Sequence, residues 1–100
     1  TWVTCASAVV HLGAIPVLVD VDPDTLCMSA AAAEAAITSR TKSILLVHLH
    51  CRLCNVPDFI RLARKHSLFL IEDCSQAHGA EWDGRKVGTF GDVGIFSMHQ

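Results

Sequence analysis

A short apolar run in the second half of the chain ends in a carboxylate that is followed by further polar side chains. Residues 68–71 are apolar, Glu72 and Asp73 come next, and Gln76 and His78 follow within five residues. In open α/β sheets, ligands bind beyond the carboxyl ends of the strands, and a carboxylate beside a core is costly without a cation. We therefore expect Asp73 to hold the positive group of a ligand. The plainer alternative is that Asp73 caps a helix or lies in a loop.

A second pattern, Cys-x-x-Cys at Cys51 and Cys54, lies between a predicted strand and a predicted helix. This pattern is typical of redox pairs, and the start of a helix can lower a thiol pKa. A zinc site would need two further ligands, and His48, His50 and Cys74 are candidates without the spacing of known zinc sites. We therefore assign no metal ligand and predict that the two thiols line the core.

The composition is that of a slice through a larger core. Hydrophobic residues make up 51% and charged residues 18% of the 100 positions, whereas about 25% charged residues is usual. A free-standing domain of this size would have a more polar surface, so we expect residues 1–100 to be part of a larger domain that is truncated at both ends. Five cysteines without a disulfide framework favour a reduced, cytoplasmic setting.

The charge pattern excludes two classes of partner. Eight Lys and Arg against ten Asp and Glu give a net charge of −2, with no basic run of the kind that binds nucleic acid. The apolar runs are far shorter than the ~18 residues of a membrane span. We therefore expect small-molecule partners.

Helix-like and strand-like segments alternate along the chain, which predicts an α/β fold with a mostly parallel sheet and flanking helices. Ser29 is a good cap for an alanine-rich helix, Pro16 weakens the start of a strand, and Asp83-Gly84 is a strong hairpin signal. We predict helices at residues 4–12, 30–37 and 56–66, strands at 15–19, 41–49, 68–71 and 93–96, of which the last is buried, and a hairpin at 81–88.

Taken in order, these segments resemble the sugar aminotransferases of the DegT/StrS type, which use pyridoxal phosphate and have fold type I. The resemblance covers essentially all 100 residues, and its most specific part is Asp73-Cys-Ser-Gln-Ala-His-Gly-Ala80. It implies that the chain is a segment of the large domain of a fold-type-I aminotransferase. Matching segments are residues 1–3, 13–17, 20–25, 36–42, 47–49, 71–80, 84–88 and 91–92.

The resemblance also implies the roles of single residues. It gives Trp2 the stacking position on the pyridine ring, Asp73 the protonated ring nitrogen, Gln76 a bond near the phenolic oxygen, Ser97 the phosphate, and His99 a position near the cofactor. The bland alternatives are an ordinary core tryptophan for Trp2 and a serine bonded to the backbone for Ser97.

The Schiff-base lysine of the family is expected two residues past Gln100, so the resemblance implies that these 100 residues contain no catalytic residue and are inactive alone. A histidine in place of that lysine would indicate a dehydratase. Another residue there would indicate a non-catalytic relative that senses or regulates.

One departure from the family pattern bears on the substrate. His50-Cys51 stands where the family usually has Tyr-Gly. This cysteine, together with Glu72-Asp73-Cys74 and Phe96-Ser97-Met98, resembles one branch of the family. That branch aminates keto-cyclitols such as scyllo-inosose and 2-deoxy-scyllo-inosose on the way to aminoglycoside antibiotics. The resemblance implies L-glutamine or glutamate as amino donor and a homodimer. The alternative is a nucleotide-linked keto sugar as substrate.

Overall fold

The structure, a computed structural model, describes residues 3–98. Three helices and five strands follow one another within these residues. They are α1 Thr4–His11, α2 Ala30–Ala36, β1 Ser43–Val47, α3 Val56–His66, β2 Phe69–Asp73, β3 Glu81–Trp82, β4 Arg85–Lys86 and β5 Val93–Ile95.

The main sheet is parallel and has the strand order β1-β2-β5. Val47, Asp73 and Ile95 are aligned across it, so all three strands end at one edge. Parallel neighbours need crossover connections, and α3 provides the one between β1 and β2. The predicted mostly parallel α/β sheet is therefore confirmed.

Local sequence signals account for the bounds of the helices. The Ser29 side chain accepts a hydrogen bond from the N–H of Ala32 at the start of α2. Asn55 does the same for Asp58 at the start of α3. Helix α3 ends at Ser67, whose backbone is left-handed with φ 54°. Such caps satisfy N–H and C=O groups that have no partner inside a helix.

The core lies on one face of the main sheet, where α2 and α3 pack. A second, smaller cluster lies under the hairpin and is formed by Cys74, Ala77 and Val87. The main cluster is formed by Cys27, Ala33, Ile44, Leu46, Cys54, Phe59, Leu62, Ala63 and Leu70.

The hairpin β3–β4 confirms the Asp83-Gly84 signal. Both turn residues have positive φ, 49° at Asp83 and 76° at Gly84, as the favoured two-residue hairpin turns require. The strands pair Glu81 with Lys86 and Trp82 with Arg85.

Two predicted strands need correction. Residues 15–19 form no strand within the described part of the chain, and Ile15 and Leu18 are 76% and 84% exposed. Their β-branched composition favours strand, but a strand also needs a neighbour for its N–H and C=O groups, and residues 3–98 offer none. Strand β5 forms but is exposed rather than buried, because no described residues cover its outer face.

The helices can be compared with what a membrane would require. Within residues 3–98, no helix has both the length and the apolar character needed to cross a bilayer.

Candidate functional site

The carboxyl edge of the main sheet collects three of the predicted site residues. Asp73 ends β2, Gln76 lies in the loop that follows, and Ser97 lies two residues beyond the end of β5. Because β2 and β5 are neighbours in register, the fold brings these segments together. The predicted positions Trp2 and His99 lie outside the described residues.

The carboxylate of Asp73 is held by two contacts. Its Oδ1 accepts the N–H of Ser75 at 3.0 Å, and its Oδ2 accepts the thiol of Cys5 from α1 at 3.4 Å. Burial raises the pKa of Asp73, but the hydrogen bonds from Ser75 and Cys5 outweigh it and the net shift is downward. Asp73 is therefore ionised at neutral pH. No Lys, Arg or His among residues 3–98 forms an ion pair with it.

Gln76 and His78 connect the loop after β2 to both neighbouring strands. The Gln76 side-chain oxygen accepts the N–H of His50 at 3.1 Å, and its backbone oxygen accepts the N–H of Cys51 at 2.8 Å. His78 packs its ring against Phe96, with centroids 5.5 Å apart and planes tilted by 57°. The segment that carries Gln76 is thus tied to the segment after β1 and to the one before Ser97.

Three glycines, two before β5 and one within it, allow this part of the chain to pack closely. A Cβ on Gly88, where φ is 83°, would lie 2.6 Å from the Phe96 ring, and one on Gly94 would lie 2.7 Å from the Gly88 Cα. One on Gly91 would overlap the backbone oxygen of Leu70. Contacts this short do not occur between real atoms, so the path of the chain into β5 and on toward Ser97 requires glycine at all three positions.

Glu72 lies on the face of β2 opposite to Asp73 and fixes the glycine-rich segment 88–91. Its side chain is fully buried. The carboxylate accepts backbone N–H groups from Gly88 at 2.9 Å and from Phe90 and Gly91 at 2.7 Å. Burial raises the pKa of Glu72, but a hydrogen bond from His48 and these three N–H groups lower it to about 2. The negative charge is thus stabilised by converging donors, as in a backbone anion nest.

His48 completes the environment of Glu72 and has a defined tautomer. Its Nδ1 accepts the N–H of Cys54 at 3.3 Å, so Nε2 carries the hydrogen that is donated to Glu72, also at 3.3 Å. Both side chains are fully buried, where an unpaired polar group would be costly.

This cluster has the residue types of a metal site but not the free lone pairs. Possible ligand atoms of His48, Glu72 and Cys74 lie within 4.8 Å of one another. However, both nitrogens of His48 are engaged, and each oxygen of Glu72 accepts two hydrogen bonds. Burial and the charges of Glu72 and Asp73 raise the pKa of the Cys74 thiol to about 12, whereas metal binding requires a thiolate. The contacts are those of a structural cluster.

The cysteines of the Cys-x-x-Cys pattern have different environments, and all five cysteines are free. Cys51 is exposed with φ 58°, whereas Cys54 is fully buried and donates its thiol to the Val47 carbonyl at 3.2 Å. Burial and the neighbouring Cys27 raise the pKa of Cys54. A buried, protonated thiol is unreactive, which supports a core-lining role for Cys54 but not for Cys51.

Three features of the site were not predicted from the sequence. They are the Glu72–His48 pair, the contact from Cys5 to Asp73, and the turn at His50 and Cys51. The Glu72–His48 pair has a signal in the sequence. Side chains alternate along a strand, so Glu72 falls on the same face as the buried Leu70. The other two depend on contacts between segments that no local pattern indicates.

Comparison with known proteins places the chain in one family. The family model described as the DegT/DnrJ/EryC1/StrS aminotransferase family matches residues 1–100. The L-glutamine:2-deoxy-scyllo-inosose aminotransferase of Streptomyces kanamyceticus is 55% identical over 100 residues, which are 100% of this chain and 23% of that protein. The chain thus spans about a quarter of the length of the curated relatives that it matches.

Solved structures agree with this placement. The aminotransferase from Psychrobacter cryohalolentis is 44% identical with a TM-score of 0.92, over 94% of this chain and 24% of that one. NtdA from Bacillus subtilis, solved with bound cofactor PMP, is 31% identical with a TM-score of 0.86, over 94% of this chain and 21% of that one. The chain belongs to the DegT/DnrJ/EryC1/StrS aminotransferase family and has the large-domain α/β fold of fold-type-I aminotransferases.

Proposed function

We propose that residues 1–100 form part of the cofactor-binding large domain of an aminotransferase that uses pyridoxal phosphate. Asp73 holds the protonated ring nitrogen, Ser97 binds the phosphate, and Gln76 bonds near the phenolic oxygen. Trp2 and His99 take the stacking and neighbouring positions that the family pattern gives them. When bound, the cofactor serves as an electron sink for the amino-group transfer.

The observation that carries this proposal is the state of Asp73. Its carboxylate is ionised, partly buried and fixed in orientation by Ser75 and Cys5, yet no cation of residues 3–98 pairs with it. A protonated pyridine nitrogen would supply the missing positive charge. In a partly buried site, the attraction between the two charges is stronger than in water.

For the substrate we propose a keto-cyclitol such as 2-deoxy-scyllo-inosose or scyllo-inosose, with L-glutamine or glutamate as donor. The name of the 55% identical relative supports this choice. The hairpin cations also support it, because Lys86 is paired with Glu81 at 2.6 Å and Arg85 donates to Thr89. Both cations therefore already have partners within residues 81–89. We further propose a homodimer, as in the family.

Substrate competition with the full-length enzyme tests this function. We expect a higher kcat/KM for 2-deoxy-scyllo-inosose than for a nucleoside-diphosphate 4-keto sugar, because a site that hydrogen-bonds the substrate hydroxyls discriminates strongly against analogues that lack them. A clear preference for the nucleotide sugar would refute the cyclitol assignment. Bound cofactor without turnover of either ketone would refute the aminotransferase itself.

A further inference from the structure

The loop after β1 contains two consecutive residues in a conformation that their side chains disfavour. His50 has φ 51° and Cys51 has φ 58°, and neither is a glycine. Both are exposed, so side-chain packing does not hold them there. Left-handed backbone brings the Cβ of an ordinary residue close to the following carbonyl oxygen. Strain of this kind persists only where surrounding contacts enforce it.

The contacts that enforce it converge on one residue. The N–H of Arg52 donates to the Leu49 carbonyl at 2.8 Å, which closes a four-residue turn around His50 and Cys51. Positive φ at both central positions is the signature of a type I′ turn. The two central N–H groups then point to Gln76, one to its side-chain oxygen at 3.1 Å and one to its backbone oxygen at 2.8 Å.

The consequence for Gln76 is a fixed orientation of its amide. A backbone N–H requires an acceptor, so the end of the amide that faces His50 must be the oxygen. The end that remains for a ligand is the NH2 group, which can only donate. Without the turn, the amide would be free to flip and present either end.

We propose that the His50–Cys51 turn is a positioning device that makes Gln76 a hydrogen-bond donor toward the bound cofactor. The acceptor that suits it is the phenolic oxygen of pyridoxal phosphate. This inference rests on the proposed function, since it assumes pyridoxal phosphate beside Asp73. His50 and Cys51 act through Gln76 and need not touch the cofactor themselves.

The chain offers a matched control for the strain. Ser67 has nearly the same backbone, with φ 54°, and is also exposed, but it precedes β2 and so lies at the opposite edge of the sheet. Valine strongly resists positive φ. Cys51→Val therefore strains the backbone beside the candidate site. Ser67→Val imposes a similar strain at the opposite edge of the sheet. Cys51→Gly keeps the turn without strain.

The experiment uses the full-length enzyme and measures three quantities that are independent of turnover. They are the melting temperature, the Kd of pyridoxal phosphate for the apoprotein, and the pH midpoint of the bound cofactor's absorbance. We expect both valine variants to lower the melting temperature, but only Cys51→Val to raise the Kd at least tenfold and to shift the midpoint. Cys51→Gly should match the wild type in Kd and midpoint.

Gln76→Glu provides a second test should Cys51→Val fail to fold. Glutamate keeps the acceptor for the N–H of His50 but replaces the NH2 donor by an oxygen. The melting temperature should stay near that of the wild type while the Kd rises and the midpoint moves to higher pH, because added negative charge favours the protonated cofactor.

Two outcomes would overturn the inference. A wild-type Kd and midpoint in Cys51→Val, or in Gln76→Glu, would show that the turn is only structural. Equal effects of Cys51→Val and Ser67→Val would attribute the change to global stability. Failure of the wild-type protein to bind pyridoxal phosphate would instead refute the proposed function itself.

Discussion

Glu72 and Asp73 are adjacent carboxylates on one strand, but they have opposite environments. Glu72 is fully buried and each of its oxygens accepts two hydrogen bonds. Asp73, on the other face, accepts one backbone N–H and one thiol and has no cation among residues 3–98. Both pKa values are lowered, so the degree of ionisation does not distinguish them. What distinguishes them is whether the protein itself completes the environment of the charge.

The difference assigns each carboxylate a role. Glu72 holds the glycine-rich segment 88–91 against the sheet and so sets the path of β5 toward Ser97. Asp73 is fixed in orientation but has no cation among residues 3–98, which supports the binding role that we propose for it. Because a strand alternates its side chains between two faces, it can place a fully paired anion and an anion without a cation one residue apart.

The largest expected effect is that of Asp73→Asn on the full-length enzyme. A neutral amide cannot hold the ring nitrogen protonated, so kcat should fall on the order of 10²–10³-fold, as when one electrostatic stabiliser is removed from an active site. The melting temperature should change little, because asparagine still accepts the N–H of Ser75. Near-normal turnover would mean that Asp73 is only a loop carboxylate.

The next effect is that of Glu72→Gln on stability. Replacing a charged acceptor by an amide that must place its NH2 against backbone donors should lower the free energy of unfolding by about 3 kcal/mol. The cofactor's absorbance midpoint should stay that of the wild type. Urea unfolding of the full-length protein measures the first quantity, and a variant as stable as the wild type would contradict the role given to Glu72.

The pH dependence of stability tests the same role of Glu72. The pKa of Glu72 lies at about 2 in the folded chain, against an ordinary 4.5. The contribution of ionised Glu72 to the free energy of unfolding is therefore complete above pH 4.5 and is lost as the pH falls toward 2. The difference between wild type and Glu72→Gln should shrink over that window, and a constant difference would show that the carboxylate charge is not the cause.

A smaller effect is expected for Gly94→Ala. Its Cβ would lie 2.7 Å from the Gly88 Cα, and relief of this overlap should cost about 2 kcal/mol of stability, as overpacking does. The matched control is Gly79→Ala, where φ is 76° but nothing lies within 4 Å. That change should cost only about 1 kcal/mol, the lower end of what a left-handed backbone costs an ordinary residue. Equal losses in urea unfolding would exclude a specific close approach at Gly94.

Local signals were enough to predict much of this fold. Several features depend only on residues that are close in sequence. They are the Val56–His66 helix, the Ser29 cap and the Asp83-Gly84 turn. The position of Asp73 at a strand end was likewise visible, because apolar residues precede it directly. The strand predicted at residues 15–19 failed because a strand also depends on a neighbour, which composition does not report.

The remainder of the site depends on contacts between distant segments. Glu72 meets donors 16 to 24 residues away, Cys5 meets Asp73 across 68 residues, and His50 meets Gln76 across 26. No periodicity encodes such pairs. The one clue to Glu72 was a charged residue on the buried face of a strand, where a charge requires compensation.

The central claim is that the Asp73 carboxylate holds the pyridine nitrogen of the cofactor in its protonated form. ¹⁵N NMR of the full-length protein loaded with ¹⁵N-labelled pyridoxal phosphate tests it without reference to turnover. We expect the ring nitrogen to be protonated at neutral pH in the wild type and in Glu72→Gln, and unprotonated in Asp73→Asn. The same protonation state in wild type and Asp73→Asn would contradict the account.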